Sequence, residues 1–206
     1  GRVVISGAGI SVAETAGLAF DTGSGTLSEF EIVGFSGDGI RIGDGIEVTL
    51  DGVGISGNCG WGVRTRSRLV IRKGVGSVTM IGDNGSGEGC NAGGILAAGP
   101  DARVEGSGLS VSGNKGPGIL SSGPVAVASV VIADNGGPGI STFDETAIVG
   151  GDDNRISGNR GAGVIASRGV RIQEAVVEIA GNGGWGVHAA GGNLSINAGP
   201  VNPEPG

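Results

Sequence analysis

The chain has 206 residues, including 48 glycines and only 7 prolines, and its formal net charge is -7. Without a strict three-residue glycine period this composition excludes collagen, and the recurring Val and Ile residues exclude a disordered chain. The acidic balance disfavours nucleic acid as a partner, and no apolar run is long enough to span a membrane. The chain begins with Gly1 rather than Met and has no visible signal peptide, so we expect a mature form or an excised segment.

Repetition organises most of the chain. Residues 1–29 fit the repeat less well and are expected to form one or two irregular first coils of a repeat fold. From residue 30 to residue 197 a Gly-Ile or Gly-Val pair recurs, and its glycines are Gly39, Gly62, Gly94, Gly118, Gly139, Gly163 and Gly186. The nearly constant spacing of these pairs is the signature of a solenoid. The Pro- and Gly-rich tail, residues 198–206, is predicted to be a linker or the end of a segment.

The period within each copy identifies the kind of solenoid. Apolar residues alternate at period two, as in Val164 and Ala166 or Val170 and Ile172, which indicates strands rather than helices. Three short strands per copy would pair with those of the next copy, about 4.8 Å along the axis. The sequence therefore predicts an all-β, single-stranded parallel β-helix of about eight coils of roughly 23 residues. Glycines are expected to supply positive φ at corners and to let coils approach each other.

Six of the seven copies also carry an asparagine shortly before the Gly-Ile or Gly-Val pair. We expect these side chains to form one ladder at an inside turn, each amide bonded to its neighbours above and below. The predicted ladder comprises Asn58, Asn84, Asn114, Asn135, Asn159 and Asn182.

One phrase carries a family resemblance. SGNRGAGV at residues 157–164 nearly repeats SGNKGPGI at residues 112–119. This SGN-x-G-x-G-[IV] pattern resembles the right-handed parallel β-helix superfamily, the pectate-lyase-like fold, over about residues 30–197. Together with the preference for right-handed parallel crossovers, the resemblance implies a right-handed coil. The superfamily carries lyases, hydrolases, epimerases, phage tailspikes and surface adhesins, so the resemblance assigns no single activity.

Catalytic residues are hard to assemble. Asp152 and Asp153, in GGDDNR, resemble one fragment of the polygalacturonase pattern, whose carboxylates protonate a leaving group and activate water. The other elements of that pattern do not appear, and His188 falls about half a coil away. We favour a solvated corner loop for these two acids.

A calcium-dependent lyase of this fold would need several carboxylates on one face and a base. The densest acidic group is Asp38, Asp44, Glu47 and Asp51, which spans more than half a coil and does not obviously converge. We therefore predict no metal site and no cofactor, and we expect calcium only if the chain is a lyase.

The two cysteines suggest a covalent bond between coils. Cys59 lies three residues before Gly62, and Cys90 lies four before Gly94, so both occupy nearly the same corner. Their Cα atoms can then approach the 4.4–6.8 Å that a disulfide needs, and an insertion of roughly eight residues beside Cys90 would benefit from a tether. We predict the disulfide, an oxidising compartment and hence a secreted or cell-surface protein. Two unrelated thiols are the alternative.

The segment RTRSRLVIRK, residues 64–73, is strongly basic within an acidic chain. If Val63 points inward, Arg64, Arg66 and Arg68 alternate outward on one strand, with Arg41 aligned one coil earlier. Four guanidiniums on one face repel each other, and arginine suits bidentate recognition of carboxylate or sulfate. We therefore predict a polyanionic glycan as the ligand.

Other residues around this face have two interpretations. Trp61 can stack on a sugar ring or simply pack over a glycine, and carboxylates such as Asp38 and Asp44 can offset the arginines in a solvated face. Above the arginines the same outward column contains Leu96, Leu120 and Ile165, which form a small apolar stripe. We expect such a stripe to contact a neighbouring domain or subunit.

Two functions from different classes follow. The first is a non-catalytic extracellular β-helix module, surface- or adhesin-like, that binds a polysaccharide or cell-surface glycan. The alternative is a polysaccharide lyase or glycoside hydrolase acting on uronate polymers. Because no constellation of acid, base and metal can be assembled, the sequence favours the first.

Overall fold

The fold consists entirely of short parallel strands. A computed structural model of the chain describes residues 3–7, 16–73, 77–151 and 153–197, so Asp152, the tail at residues 198–206 and part of the expected first coils lie outside it. The described residues form 22 strands and contain no helix. Each strand pairs in parallel with the equivalent strands of adjacent coils, as the period-two pattern predicts.

The first face of the solenoid is an 8-stranded sheet with one strand from each of eight coils. Its strands are β2 (Leu18–Phe20), β5 (Ile40–Ile42), β8 (Val63–Thr65), β11 (Ile95–Ala97), β13 (Ile119–Ser121), β15 (Ile140–Thr142), β18 (Val164–Ala166) and β21 (Val187–Ala189). The first residue of each strand points into the core and the second points outward. Ile40 and Val63, for example, are fully buried and lie in register.

A 14-stranded sheet supplies the second and third faces. The second face contains β3 (Gly25–Ser28), β6 (Val48–Asp51), β9 (Arg68–Arg72), β16 (Glu145–Val149), β19 (Gly169–Gln173) and β22 (Asn193–Asn197). The third face contains β1 (Val3–Ser6), β4 (Phe30–Val33), β7 (Gly54–Ser56), β10 (Thr79–Gly82), β17 (Asn154–Ser157) and β20 (Val177–Ala180). The longer β12 (Arg103–Ser112) and β14 (Val125–Ala133) run from the second face into the third. The prediction of three strands per coil and about eight coils is confirmed.

Glycine serves the coils in two different ways. The glycine of the SGN phrase has positive φ, 64° at Gly57 and 67° at Gly158, and Asp134 takes the same conformation in its own coil. The glycine of the Gly-Ile pair does not. A Cβ on Gly139 would lie 2.7 Å from the carbonyl oxygen of Gly163 and 2.9 Å from Nδ2 of Asn159. The expectation of corner glycines with positive φ thus holds for the first column, whereas the second is glycine because the next coil fills the space.

Candidate anion-binding groove

The asparagine ladder is confirmed and fixes the corner before the 8-stranded sheet. In each of its five steps, Nδ2 of one asparagine donates to Oδ1 of the next at 2.9 Å. The same Oδ1 also accepts a hydrogen bond from the backbone N–H of the preceding asparagine. Five rungs are essentially inaccessible to solvent, and the last, Asn182, is half-buried. Every amide in the interior of the ladder therefore has partners on both sides.

Two residues near the ladder were not predicted. Phe35 occupies the rung position of the preceding coil, where its backbone N–H donates to Oδ1 of Asn58 at 2.9 Å. Asn154 is a further buried asparagine, whose Nδ2 donates to the carbonyls of Gly150, Gly151 and Val176. Asn154 lies outside the ladder register, so the repeat gives no signal for it.

Cys59 and Cys90 form the predicted disulfide, with a Cα–Cα distance of 5.0 Å. The backbone N–H of Cys59 donates to the carbonyl of Phe35 at 2.8 Å, which fixes this half of the bond to the coil below. Cys90 is buried within an otherwise exposed stretch, residues 86–91. The disulfide therefore attaches the inserted loop to a regular corner, and it is compatible with an oxidising compartment.

The basic segment does not follow a single strand, and that expectation is wrong. Strand β8 ends at Thr65, Arg66 lies at the corner, and Arg68 begins β9 on the second face. The hydroxyl oxygen of Thr65 accepts a hydrogen bond from the backbone N–H of Ser67 at 3.0 Å, which turns the chain at this point. Only Arg41 and Arg64 are direct neighbours on the 8-stranded sheet.

Carboxylates offset most of the arginine charge, as the alternative interpretation expected. Nε of Arg64 lies 2.7 Å from Oδ2 of Asp38, whose side chain is only 11% exposed. Oδ1 of Asp38 accepts a hydrogen bond from the backbone N–H of Trp61 at 2.8 Å. Arg66 pairs with Asp44 at 3.0 Å in a largely exposed contact. Asp38 thus positions both Arg64 and Trp61.

Arg68 is the centre of a separate ionic chain across three coils. Its guanidinium lies 2.7 Å from Glu47 and 2.6 Å from Glu105, and Glu105 also contacts Arg103 at 3.2 Å. Hydrogen bonds raise the pKa of Arg68 above its usual value, and the bond to Glu105 contributes more than the bond to Glu47. Nε, Nη1 and Nη2 of this guanidinium all donate to carboxylates, so Arg68 has little capacity left for a ligand.

Arg41 differs from the other three predicted arginines. It is exposed, it lies in register with Arg64, and it forms no ion pair with any described residue. Two grooves of about 390 Å³ each meet at Arg41 and Arg64. The first, the Trp61 groove, is lined by Ser36, Gly37, Asp38, Arg41, Cys59, Gly60, Trp61, Arg64, Gly89, Cys90, Asn91 and Ala92. The second adds Arg66 and Leu96 on the other side of the arginines.

Trp61 has both of the predicted roles available to it. Its ring packs over Gly93 of the next coil, where a Cβ would lie 2.6 Å from Cζ3. The residue is nevertheless half-exposed in the groove, and no described residue accepts a hydrogen bond from its indole N–H. The indole therefore lines the groove together with Arg41 and Arg64, and its N–H donor is unpaired among the described residues.

The remaining predicted site residues do not converge on the Trp61 groove. Asp153 is exposed at the corner before β17, on the third face, whereas His188 belongs to β21 on the first face and stacks on Trp185. Asp152 lies outside the described residues. Within the described ranges, no three His, Cys, Asp or Glu side chains come together to hold a metal ion.

The stripe of Leu96, Leu120 and Ile165 follows the outward column of the 8-stranded sheet, as predicted. Each of the three is half-buried rather than fully exposed. A contact with a neighbouring domain or subunit stays a prediction.

The stacked three-faced coils with an internal asparagine ladder define a parallel β-solenoid protein. The chain belongs to the right-handed β-helix family, because the model of the right handed beta helix region matches residues 16–183. This match supports the right-handed coil. No curated protein and no solved structure matches the chain. Among the described residues, no helix has the length and apolar character needed to cross a bilayer.

Proposed function

We propose that the protein is a non-catalytic β-helix module, secreted or displayed at the cell surface, that binds an acidic glycan in the Trp61 groove. The disulfide supports the location, since such bonds persist mainly in oxidising compartments. The regular coils supply a rigid scaffold, and the Trp61 groove supplies the polar groups that would bind the glycan. An adhesin-like surface role is consistent with this division.

The observation that carries the proposal is the state of Arg41. It lies one coil from Arg64, yet Asp38 compensates only Arg64. Neighbouring like charges on adjacent strands are unfavourable, and a carboxylate or sulfate that bridges the two guanidiniums would relieve the repulsion. Trp61 can add a ring edge and an N–H donor for the sugar itself. Because Arg66 and Arg68 are already paired, the site fits one or two anionic groups rather than a long polyanionic stretch.

Titration with dextran sulfate and polygalacturonate, with neutral dextran as the control ligand, tests the proposal. Both acidic polymers should bind and neutral dextran should not, and higher salt should weaken binding. Arg41→Gln should lower the affinity at least tenfold. Arg160→Gln removes the same charge from an exposed site outside the groove and should change the affinity less than twofold.

Two results would contradict the proposal. One is the absence of binding to either acidic polymer, or equal affinity for dextran and dextran sulfate. The other is release of unsaturated uronate product from polygalacturonate, with or without calcium, since that would make the protein a lyase.

A further inference from the structure

One wall of the Trp61 groove is an insertion in the repeat. The Gly-Ile or Gly-Val pairs on either side of it are 32 residues apart, compared with 21 to 24 elsewhere. Backbone hydrogen bonds hold its two ends: Gly85 N–H donates to the carbonyl of Asn58 at 2.7 Å, and the carbonyl of Ala92 accepts from Gly116 at 2.8 Å. Between these ends, residues 86–91 belong to no strand.

Residues 86–91, which we call the clasp loop, have few attachments to the coils. Cys90 is the one buried residue of the loop, and the disulfide joins it to Cys59. Among the described residues, the only other bond from the loop to a neighbouring coil is donated by Nζ of Lys115 to the carbonyl of Cys90 at 2.8 Å. The other hydrogen bonds of the loop, such as that from Cys90 N–H to the carbonyl of Gly87, stay within residues 83–90. Both attachments to the coils therefore act through Cys90.

The disulfide borders the Trp61 groove with a half-exposed Cys59 and a buried Cys90, so a reagent approaches the bond from the Cys59 side. Both cysteines line the same surface groove as Arg41, Arg64 and Trp61, and neither belongs to the hydrophobic core cluster. A change at this bond is therefore transmitted directly to the wall of the binding groove, without disturbing the buried layers of the solenoid.

We propose that the Cys59–Cys90 disulfide is a redox-sensitive clasp that controls ligand binding in the Trp61 groove; this inference rests on the proposed function. A dithiol reductant transfers two electrons and two protons to the bond, which yields two thiols and the oxidised, cyclic disulfide of the reductant. The clasp loop then keeps only the Lys115 bond and leaves its position beside Arg41 and Arg64. Binding weakens, and re-oxidation restores it.

The test compares the oxidised protein, the same protein reduced with dithiothreitol, and the Cys59→Ser/Cys90→Ser double variant. Dextran sulfate affinity should fall at least fivefold on reduction and return on re-oxidation. The double variant should resemble the reduced protein and should not respond to dithiothreitol. Lys115→Met, which removes only the second attachment, should bind as wild type while oxidised. Unchanged affinity on reduction, or a loss that re-oxidation does not reverse while the circular dichroism spectrum is unchanged, would overturn the clasp.

A ligand-independent measurement separates this inference from the proposed function. Amide exchange of residues 86–93, followed by mass spectrometry, should accelerate at least tenfold on reduction, while exchange at the ladder corner stays unchanged. If oxidised protein binds no acidic polymer, the proposed function fails, and the exchange result alone decides whether the disulfide holds the loop. Equal exchange in both redox states would refute the clasp regardless of ligand.

Discussion

The asparagine corner and the Trp61 groove lie on the same coils but follow different rules. At the corner the same side chain repeats from Asn58 to Asn182, and each interior rung bonds to the next rung as the one before it does. At the groove two adjacent coils present Arg41 and Arg64, which share a register but not a partner. The inward-facing side chains are therefore the same in successive coils, whereas the outward-facing side chains differ from coil to coil.

The physical reason for the difference is what each side chain contacts. An inward residue contacts the equivalent residue one coil away, so a side chain that stabilises one coil at this position also stabilises the others. An outward residue meets solvent and whichever side chains reach it, so its environment changes from coil to coil. Repetition therefore describes the scaffold, and departures from repetition locate the candidate site.

The largest expected effect comes from breaking the ladder in its middle. Asn159→Leu removes the acceptor of both Asn135 donors and the donor to Asn182, and it should lower the free energy of unfolding by about 3 kcal/mol. Asn182→Leu, at the half-buried end rung, is the matched control and should cost about 1 kcal/mol. Urea unfolding followed by circular dichroism measures both. Equal losses would mean that position in the ladder is irrelevant.

The glycine column gives the next effect. Gly139→Ala places a methyl group against the carbonyl of Gly163 and the amide of Asn159, and this overpacking should cost about 2 kcal/mol. Gly186→Ala is the control in the last copy, where the nearest atom of a described residue, Cγ2 of Ile179, would be 3.7 Å from the new methyl. The control should be neutral within about 0.5 kcal/mol. Destabilisation of both variants by the same amount would contradict close approach as the reason for this glycine.

The smallest effects are expected on the outer surface. Arg64→Gln leaves the nearly buried carboxylate of Asp38 without its cation, and this should cost about 1 kcal/mol. Arg66→Gln removes an exposed pair with Asp44 and should cost less than about 0.5 kcal/mol. Thermal unfolding of the two variants provides the comparison. A larger loss for Arg66→Gln than for Arg64→Gln would refute the role assigned to Asp38.

The repeated inward positions could be predicted from the sequence, whereas the outward positions could be predicted only in part. The ladder, the coil period and the disulfide could be predicted because they depend on register, which the Gly-Ile and Gly-Val pairs mark. The placement of Arg66 and Arg68 on one strand with Arg64 was wrong, because the hydroxyl of Thr65 turns the chain after a strand of only three residues.

The sequence also could not show which arginines around the groove are paired with carboxylates. The pairing of Arg68 with both Glu47 and Glu105 joins residues from three coils, and the reach of these side chains cannot be read from spacing. Asp38 and Asp44 could only be suggested as partners. Among the four predicted arginines only Arg41 forms no ion pair with a described residue, and this emerges from the structure rather than from the spacing.

The most direct test of this account is an NMR titration of the protein with a short dextran sulfate fragment, read as amide chemical-shift changes. We expect the changes to concentrate in the residues that line the Trp61 groove, which are residues 36–38, 41, 59–61, 64 and 89–92. The amides of the ladder asparagines from Asn114 onward should stay unperturbed. Shift changes centred on the third face, or spread evenly over the surface, would contradict the assignment of binding to the groove.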